Sequence, residues 1–202
     1  MPRVAVGTRT PEGLRTSAHI RSVAADLFYK HGYEATSLRR IAKAARLQVG
    51  SLYNHLSGKE DLLVEIMLGI MDDLLAAQRR ELEGVDDVKQ RLRIFIRTHI
   101  RFHAERARDV FIGNSELRAL SRPARRKVVA LRDNYENMLF ELVNELGETQ
   151  GSNIIEAKMQ TFAVLALGGH VASWYNPGGS LSLDEIAEIN TRIALRQLGI
   201  DE

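Results

Sequence analysis

The chain has 202 residues, of which 45% are hydrophobic and 27% are charged, the balance of an ordinary globular protein. It contains no cysteine, which excludes disulfide bonds and thiolate metal sites. No apolar run approaches the roughly 20 residues of a membrane-spanning helix, and the first dozen residues lack the apolar core of a signal peptide. We therefore expect a soluble, cytoplasmic protein without a membrane partner.

Charge is distributed unevenly along the chain, although the formal net charge is only +2. Residues 1–56 hold nine of the 28 basic residues and three of the 26 acidic ones, so this part carries +6 and the remainder −4. A basic N-terminal quarter indicates contact with a polyanion, although a basic surface can also be incidental. We interpret residues 1–13 as a basic, flexible arm.

Three helical segments are predicted next. Apolar residues recur at helical spacing from Leu14 to His31, and Gly32 suits a left-handed C-terminal cap. Thr36 or Ser37 can cap a second, short helix, and the break "RLQ" separates it from a third. Two short amphipathic helices behind a longer one describe a helix–turn–helix unit, placed at about residues 37–56.

The remainder of the chain also has helical periodicity and no convincing strand. Helices are predicted at about residues 61–82, 88–105, 110–120, 122–146, 154–175 and 183–198. The sequence "GETQGSN" is predicted to be a loop. We expect an all-α protein of about nine helices, with a DNA-binding head over residues 14–60 and a ligand-binding and dimerisation body over residues 61–202.

The third helix should read DNA, because the second helix of a helix–turn–helix enters the major groove with its N-terminal residues at base edges. The residues expected there are short or carry amides: Gln48, Val49, Gly50, Ser51 and Asn54. Glycine in a first helical turn costs about 1 kcal/mol relative to alanine. A close approach, either to DNA or to the preceding helix, would explain Gly50.

Several neighbouring side chains are candidates for phosphate contacts. Tyr53, His55 and Lys59 carry suitable donors, and Lys59 also lies at a helix start, where the macrodipole attracts anions. Thr36 is a candidate for a second phosphate, and we include Arg39 among the DNA-binding residues. Tyr53 has the spacing of the apolar face, so we expect a buried ring with a free hydroxyl.

These residues also carry a family resemblance. The stretch "GYEATSLRRIAKAARLQVGSLYNHLSGKEDLL" resembles the DNA-binding head of TetR family transcriptional regulators, and the resemblance covers about residues 14–63. The chain departs from the pattern at Arg46 (usually a turn glycine), Gln48 (serine), Leu56 (phenylalanine) and Gly58 (serine). Gln48 is therefore the residue expected to alter base preference.

The resemblance implies several properties beyond the motif itself. Thr36, Tyr53 and Lys59 would contact phosphates, and residues 48–51 and 54 would face the groove. An all-helical body would bind a small effector and form a two-fold dimer on a palindromic, double-stranded operator. Repression is the usual mode of the family.

The body offers candidates for both a ligand cavity and a dimer interface. The candidate ligand-binding residues are bulky or aromatic: Met67, Met71, Phe102, Phe111, Met138, Phe162, His170 and Trp174. The segment Ile154 to Tyr175 is apolar around much of its circumference, which favours a homodimer interface formed with Leu183 to Leu198. The alternative is a helix buried within one subunit.

Two features bear on the effector. Five cations lie within ten residues, and they suit either a solvated helix start or the phosphates of an acyl-CoA thioester: Arg118, Arg122, Arg125, Arg126 and Lys127. In addition, "HVASWYNPGGSLSLDEIAEI" resembles the C-terminal helices of TetR-type repressors of fatty-acid and sterol-ring catabolism, some of which respond to acyl-CoA. A repressor responding to a hydrophobic, drug-like ligand is the alternative.

Other functional classes have less support. His99 and His103 have a metal-compatible i, i+4 spacing, but no third ligand is apparent, so we expect neither a metal nor a cofactor. The sequence contains no nucleophile turn and no phosphate-cradling glycine loop, so we do not expect an enzyme. A helical protein-interaction module remains an alternative to a DNA-binding regulator.

Overall fold

We describe residues 10–151 and 153–200 of a computed structural model. Within these ranges the chain forms nine α-helices, one 3-10 turn at Leu117–Ala119, and no β-strand. The helices are α1 Pro11–His31, α2 Leu38–Ala44, α3 Val49–Leu52, α4 Lys59–Leu82, α5 Val88–Glu105, α6 Ala107–Ser115, α7 Arg122–Gln150, α8 Ile154–Trp174 and α9 Leu183–Gln197. The predicted all-α fold is confirmed. None of the described helices combines the length and the apolarity needed to cross a membrane.

Several predicted boundaries are wrong, including those of α6, which is predicted at about residues 110–120 and runs from Ala107 to Ser115. The helix α1 begins at Pro11, because the Thr10 side chain caps it by accepting a hydrogen bond from the Gly13 N–H at 3.2 Å. The predicted arm is therefore too long, and its residues 1–9 lie outside the described part of the chain. The predicted loop after residue 146 is helical as far as Gln150, and Gly151 ends α7 with a left-handed φ of 76°.

Two hydrophobic cores organise the fold. The first joins α1, α2 and α3 to the N-terminal half of α4, around fully buried Phe28, Ile41 and Leu63. The second joins the C-terminal half of α4 to α5, α7, α8 and α9, around residues such as Phe95 and Leu139. One continuous helix, α4, therefore contributes side chains to both cores.

The turn of the helix–turn–helix contains a left-handed residue that is not glycine. Arg46, at the position where the TetR pattern has glycine, has a φ of 57°. The chain then closes back onto α2, because the Leu47 N–H donates to the Ala42 carbonyl at 2.9 Å. The turn therefore persists without glycine, at a conformational cost of about 1–2 kcal/mol for a residue with a Cβ.

Polar contacts join the head, from α1 to the first turn of α4, to the body. The Arg108 guanidinium of α6 pairs with Asp26 of α1 at 2.7 Å. The Glu116 carboxylate accepts a hydrogen bond from the Tyr33 N–H at 3.3 Å, and the Glu60 carboxylate accepts one from the Ser121 N–H at 2.7 Å. The segment from α6 to the start of α7 thus contacts the head at three points.

Replacing Arg46 by glycine should stabilise the protein. Arg46→Gly removes the left-handed strain from the folded state. Because glycine also has more chain entropy in the unfolded state, part of this gain is lost, and the free energy of unfolding should rise by about 0.5–1 kcal/mol. Equilibrium urea unfolding measures this change. As a control, Lys43→Gly in the exposed part of α2 should cost about 1 kcal/mol. Equal losses at both positions would contradict the strain at Arg46.

Candidate DNA-binding surface and ligand cavity

The reading helix α3 is a single short turn lying on the surface. Its N-cap residue Gln48, Gly50 and the following Asn54 are exposed, and Val49 and Ser51 are half-buried. The helix is anchored from beneath by fully buried Leu52. All five predicted base-reading positions therefore occupy one turn and its immediate C-terminal flank.

Gly50 faces open space. A Cβ built at this position would meet no heavy atom within 4 Å. One of the two explanations for this glycine, a close approach of the preceding helix, is therefore wrong. Close approach to DNA is the explanation that stays open, since Gly50 is on the exposed side of α3.

Tyr53 is not in the core, contrary to the prediction. The residue is 58% exposed, and its hydroxyl has no hydrogen-bond partner among the described residues. The helix ends at Leu52 and the chain turns, with the His55 N–H donating to the Leu52 carbonyl at 2.8 Å. Helical spacing therefore stops applying before Tyr53, and Leu56 fills the core position instead.

Thr36 does not offer its side chain to a phosphate. The residue is fully buried, and its hydroxyl donates to the Gly32 carbonyl at 2.9 Å. The hydroxyl therefore joins the end of α1 to the start of the next helix, and the predicted phosphate contact through this side chain is corrected to a structural role. Ser37, not Thr36, caps α2 by accepting from the Arg40 N–H.

Lys59 and His55 both make contacts within the head. The Lys59 ammonium donates to the Tyr33 carbonyl at 2.9 Å and lies 4.0 Å from the centre of the Tyr33 ring. The His55 Nδ1 lies 3.1 Å from the Ser17 hydroxyl on α1. The Lys59 contacts join α4 to the turn that follows α1, and the His55 contact joins the segment after α3 to α1. The phosphate roles of both residues stay predictions. Arg39 is exposed on α2.

A cavity of about 710 Å³ lies among α4, α5, α6, α7 and α8. Five of the eight predicted ligand-binding residues line it: Met67, Met71, Phe102, Phe111 and His170. The other three do not. Met138 packs against the body core, and Phe162 and Trp174 are 42% and 50% exposed on α8. Periodicity identified apolar residues but could not tell which helix face is turned towards a cavity.

The cavity also has a polar wall that the sequence did not predict as part of a ligand site. His99, His103, Arg132, Tyr135 and Glu136 all line it. The i, i+4 spacing of the two histidines is the signal present in the sequence, and it suggests a metal site rather than the wall of a ligand cavity. Within the described ranges, no group of three or more metal-binding side chains assembles.

The histidines belong to a buried hydrogen-bond network. The Tyr135 hydroxyl lies 2.9 Å from His99 Nδ1 and accepts from the Gln78 amide at 3.1 Å. The His99 Nε2 lies 3.1 Å from the Leu165 carbonyl, and His103 Nδ1 lies 2.8 Å from the His99 carbonyl. A Cβ at Gly168 of α8 would lie only 2.3 Å from the His99 ring, so glycine is what allows α8 to approach.

Burial sets the protonation of this wall. It lowers the pKa of His99 well below the usual value, and the neighbouring His103 lowers it further. Burial also lowers the pKa of His103, although the hydrogen bond to the His99 carbonyl opposes this shift. Burial raises the pKa of Tyr135 far above the usual range. Both imidazoles are therefore neutral at neutral pH, and the phenol keeps its proton.

Arg132 is a cation without a carboxylate partner among the described residues. Its guanidinium donates to the Gly113 carbonyl at 2.7 Å, and burial lowers its pKa, yet arginine keeps its charge in proteins. The nearby Glu136 pairs with Lys158 at 2.7 Å instead. The five cations of residues 118–127 are exposed and lie outside the cavity lining.

A second apolar surface lies on the outer faces of α8 and α9. Its members are large, apolar and at least one-third exposed: Ile154, Ile155, Met159, Phe162, Trp174, Ile189 and Ile193. The buried residues of α8, such as Val164 and Val171, lie on the opposite side and pack into the body core. The helix is therefore apolar on both its inner and its outer face.

Comparison with known proteins identifies both parts of the chain. Residues 20–66 match the family described as bacterial regulatory proteins, tetR family, and residues 85–198 match the tetracyclin repressor-like C-terminal domain. The HTH-type transcriptional repressor KstR2 of Rhodococcus jostii is 31% identical over 96% of this chain and 95% of its own. KstR2 of Mycobacterium tuberculosis strain H37Rv is 24% identical over 86% of this chain and 88% of its own.

Solved structures agree. A crystal structure of AibR in complex with isovaleryl coenzyme A and operator DNA matches with a TM-score of 0.80 and 26% identity, covering 88% of this chain and 97% of that one. A tetR family regulatory protein from Rhodococcus RHA1 matches with a TM-score of 0.83 and 26% identity, over 93% and 99% of the two chains. With its helix–turn–helix head and its helical body both matched, the chain belongs to the TetR family of transcriptional regulators and is not an enzyme.

Proposed function

We propose that this regulator is a homodimeric repressor that binds a palindromic operator in the cytoplasm and is released by an acyl-CoA thioester of a fatty-acid or sterol-ring catabolite. The observation that carries the proposal is the position of the cavity. Its walls include α4 and α6, and both of these helices also contact α1 of the helix–turn–helix head. Ligand-responsive repression through a conformational change therefore has a structural route.

The DNA contacts follow from the exposed residues of the head. Gln48, Gly50 and Asn54 would face base edges, and the free Tyr53 hydroxyl and the Arg39 guanidinium would bind phosphates. Because α3 is so short, few direct base contacts are expected. Gln48 is then the main candidate for a residue that sets this protein's own operator sequence.

Two connections between the cavity and the head could transmit a conformational change on ligand binding. Met67 and Met71 line the cavity about two and three turns along α4 from Lys59, which donates a hydrogen bond to the Tyr33 carbonyl. Phe111 of α6 lines the cavity and also meets the Tyr29 ring of α1 edge-on, with ring centres 5.3 Å apart. An effector that favours a different placement of α4 and α6 would shift the population of head positions away from the one that fits DNA.

Two features support an acyl-CoA thioester as the effector: the apolar lining of the cavity and a cluster of cations near it in the chain. The cavity is lined mainly by apolar side chains that suit an acyl chain or fused rings, and its volume lies in the range of ligand pockets. The five cations of residues 118–127 lie N-terminal to the cavity residues Val128 and Arg132 on the same part of the chain, where CoA phosphates could extend. The AibR structure holds isovaleryl coenzyme A. A hydrophobic drug-like effector would use the cavity but not the cations.

Dimerisation is the proposed use of the outer α8–α9 surface. A helix–turn–helix head pairs with a second copy to reach two half-sites about 34–36 Å apart. An apolar surface of this extent on two adjacent helices is unfavourable in water. A second copy related by a two-fold axis would cover it.

DNA binding is tested by three head variants measured on the DNA upstream of this protein's own gene. Tyr53→Phe should weaken binding about tenfold for all sequences, because a hydrogen bond to a charged phosphate is lost. Arg39→Gln should lower the slope of log affinity against log salt by about one. Gln48→Ala should instead change the ranking of operator variants.

The control for Tyr53→Phe is Tyr29→Phe, which keeps the ring contact with Phe111 and lies away from the reading helix. Equal loss of DNA affinity in the two tyrosine variants, or equal affinity of the wild type for operator and random DNA, would contradict specific binding through this surface.

The effector class is tested by calorimetry and gel shift with a panel of CoA thioesters of increasing acyl size, against hydrophobic dyes lacking CoA. A thioester should bind and release the operator. Neutralising three of the outer cations, as Arg122→Gln, Arg125→Gln and Arg126→Gln together, should weaken the thioester about tenfold or more through lost phosphate contacts. Release by dyes alone would favour the drug-like alternative.

The dimer interface is tested by Met159→Glu. A carboxylate in the centre of an apolar interface is not paired, so sedimentation should change from dimer to monomer and operator affinity should fall. Leu14→Glu is the matched control, since Leu14 is 51% exposed and Met159 is 54% exposed. A dimer that persists in Met159→Glu would show that another surface mediates assembly.

A further inference from the structure

The proton positions in the buried network follow from the acceptors it contains. A carbonyl oxygen accepts hydrogen bonds but cannot donate. The His99 Nε2 therefore carries a proton, which it donates to the Leu165 carbonyl. The Nδ1 of this neutral ring is then unprotonated and accepts from the Tyr135 hydroxyl, and the Tyr135 oxygen accepts from Gln78.

The tautomer of His103 follows from its acceptor in the same way. Its Nδ1 lies against the His99 carbonyl at 2.8 Å, so the Nδ1 is the protonated nitrogen. Because burial keeps the ring neutral, its Nε2 carries a lone pair and no proton. No described residue donates a hydrogen bond to that Nε2.

The free nitrogen is at the cavity wall. His103 lines the cavity together with Gly169 of α8. A Cβ at Gly169 would lie 3.8 Å from the His103 Nε2, so the glycine leaves this nitrogen uncovered by a side chain. The apolar cavity thus presents a fixed hydrogen-bond acceptor, held in orientation by the network behind it.

We propose that the effector donates a hydrogen bond to His103 Nε2, from a hydroxyl or an amide N–H. The inference rests on the proposed function only in taking this cavity as the effector site. A ketone, ether or hydrocarbon at the same place would bury the nitrogen lone pair without a donor, which is unfavourable. The cavity therefore selects for donor-bearing ligands of a given size by about tenfold or more.

Isomeric probes separate the donor from size and hydrophobicity. 1-Octanol and 1-methoxyheptane share one formula, but only the alcohol donates. N-Methylheptanamide and N,N-dimethylhexanamide form a second such pair, in which only the first has an N–H. The donor member of at least one pair should bind about tenfold more tightly in a competition or calorimetric assay, and the pair that discriminates identifies the donor as hydroxyl or amide.

Nitrogen NMR of the full-length protein with 15N-labelled histidine provides a direct reading. The free protein should hold His103 as the Nδ1–H tautomer, with an Nε2 signal typical of an unprotonated nitrogen. The donor probe should shift that signal, and its isomer should not. His103→Phe assigns the signal and keeps the aromatic ring, and it should abolish the discrimination within each pair.

His31→Phe is the matched control, because His31 is exposed at the end of α1 and lies outside the cavity lining. It should leave the discrimination unchanged. A protonated Nε2 in the free protein, equal binding within both pairs, or no binding of any probe would overturn the inference. Discrimination without any effect of ligands on operator affinity would leave the inference standing and contradict the proposed repressor mechanism.

Discussion

The fold depends on one helix that belongs to two hydrophobic cores. The first turns of α4 pack with the reading unit through Leu62 and Leu63, and the later turns pack in the body through Leu74 and Leu75. The cavity lies where the helix passes from one core to the other. Because packed cores are not freely deformable, a ligand that displaces this part of α4 changes the position of the head relative to the body. Arg108 of α6 and Glu116 also contact the head through an ion pair and a hydrogen bond.

The polar wall of the cavity requires the burial of polar side chains, which lowers the stability of the fold unless they are hydrogen-bonded. Gln78, His99 and Tyr135 are buried, and a buried polar group destabilises the fold unless its hydrogen bonds are made. The network satisfies the nitrogens of His99 and the phenol of Tyr135 with one orientation of each group. Arg132 adds a charge without a carboxylate partner in the described part of the chain. An apolar cavity with these few oriented groups is suited to an amphipathic ligand, in agreement with a lipid-like tail attached to a polar, anionic carrier.

Much of the fold could be predicted from the sequence, because helical periodicity and caps are local properties. The sequence predicts α5 at its observed bounds, since Asp87 caps it and its apolar stripe is unbroken. The predictions are wrong where tertiary contacts decide the position of a side chain. Tyr53 follows a helix that ends one residue earlier, and Thr36 is used within the head. Phe162 is apolar and yet points away from the cavity, because α8 has two apolar faces. The hydrogen-bond partners of His99 lie 36 and 66 residues away, beyond the reach of any local pattern.

We expect effector binding to change the separation of the two reading heads. The chain has no cysteine, so Lys43→Cys on exposed α2 places a single spin label on each head of the proposed dimer. Pulsed electron paramagnetic resonance measures the distance between the two labels. With operator DNA we expect one narrow distance distribution, compatible with reading helices about 34–36 Å apart. Addition of the CoA thioester that releases DNA should shift this distribution by several ångströms. An unchanged distribution in the released, thioester-bound protein would contradict a mechanism in which the effector moves the heads.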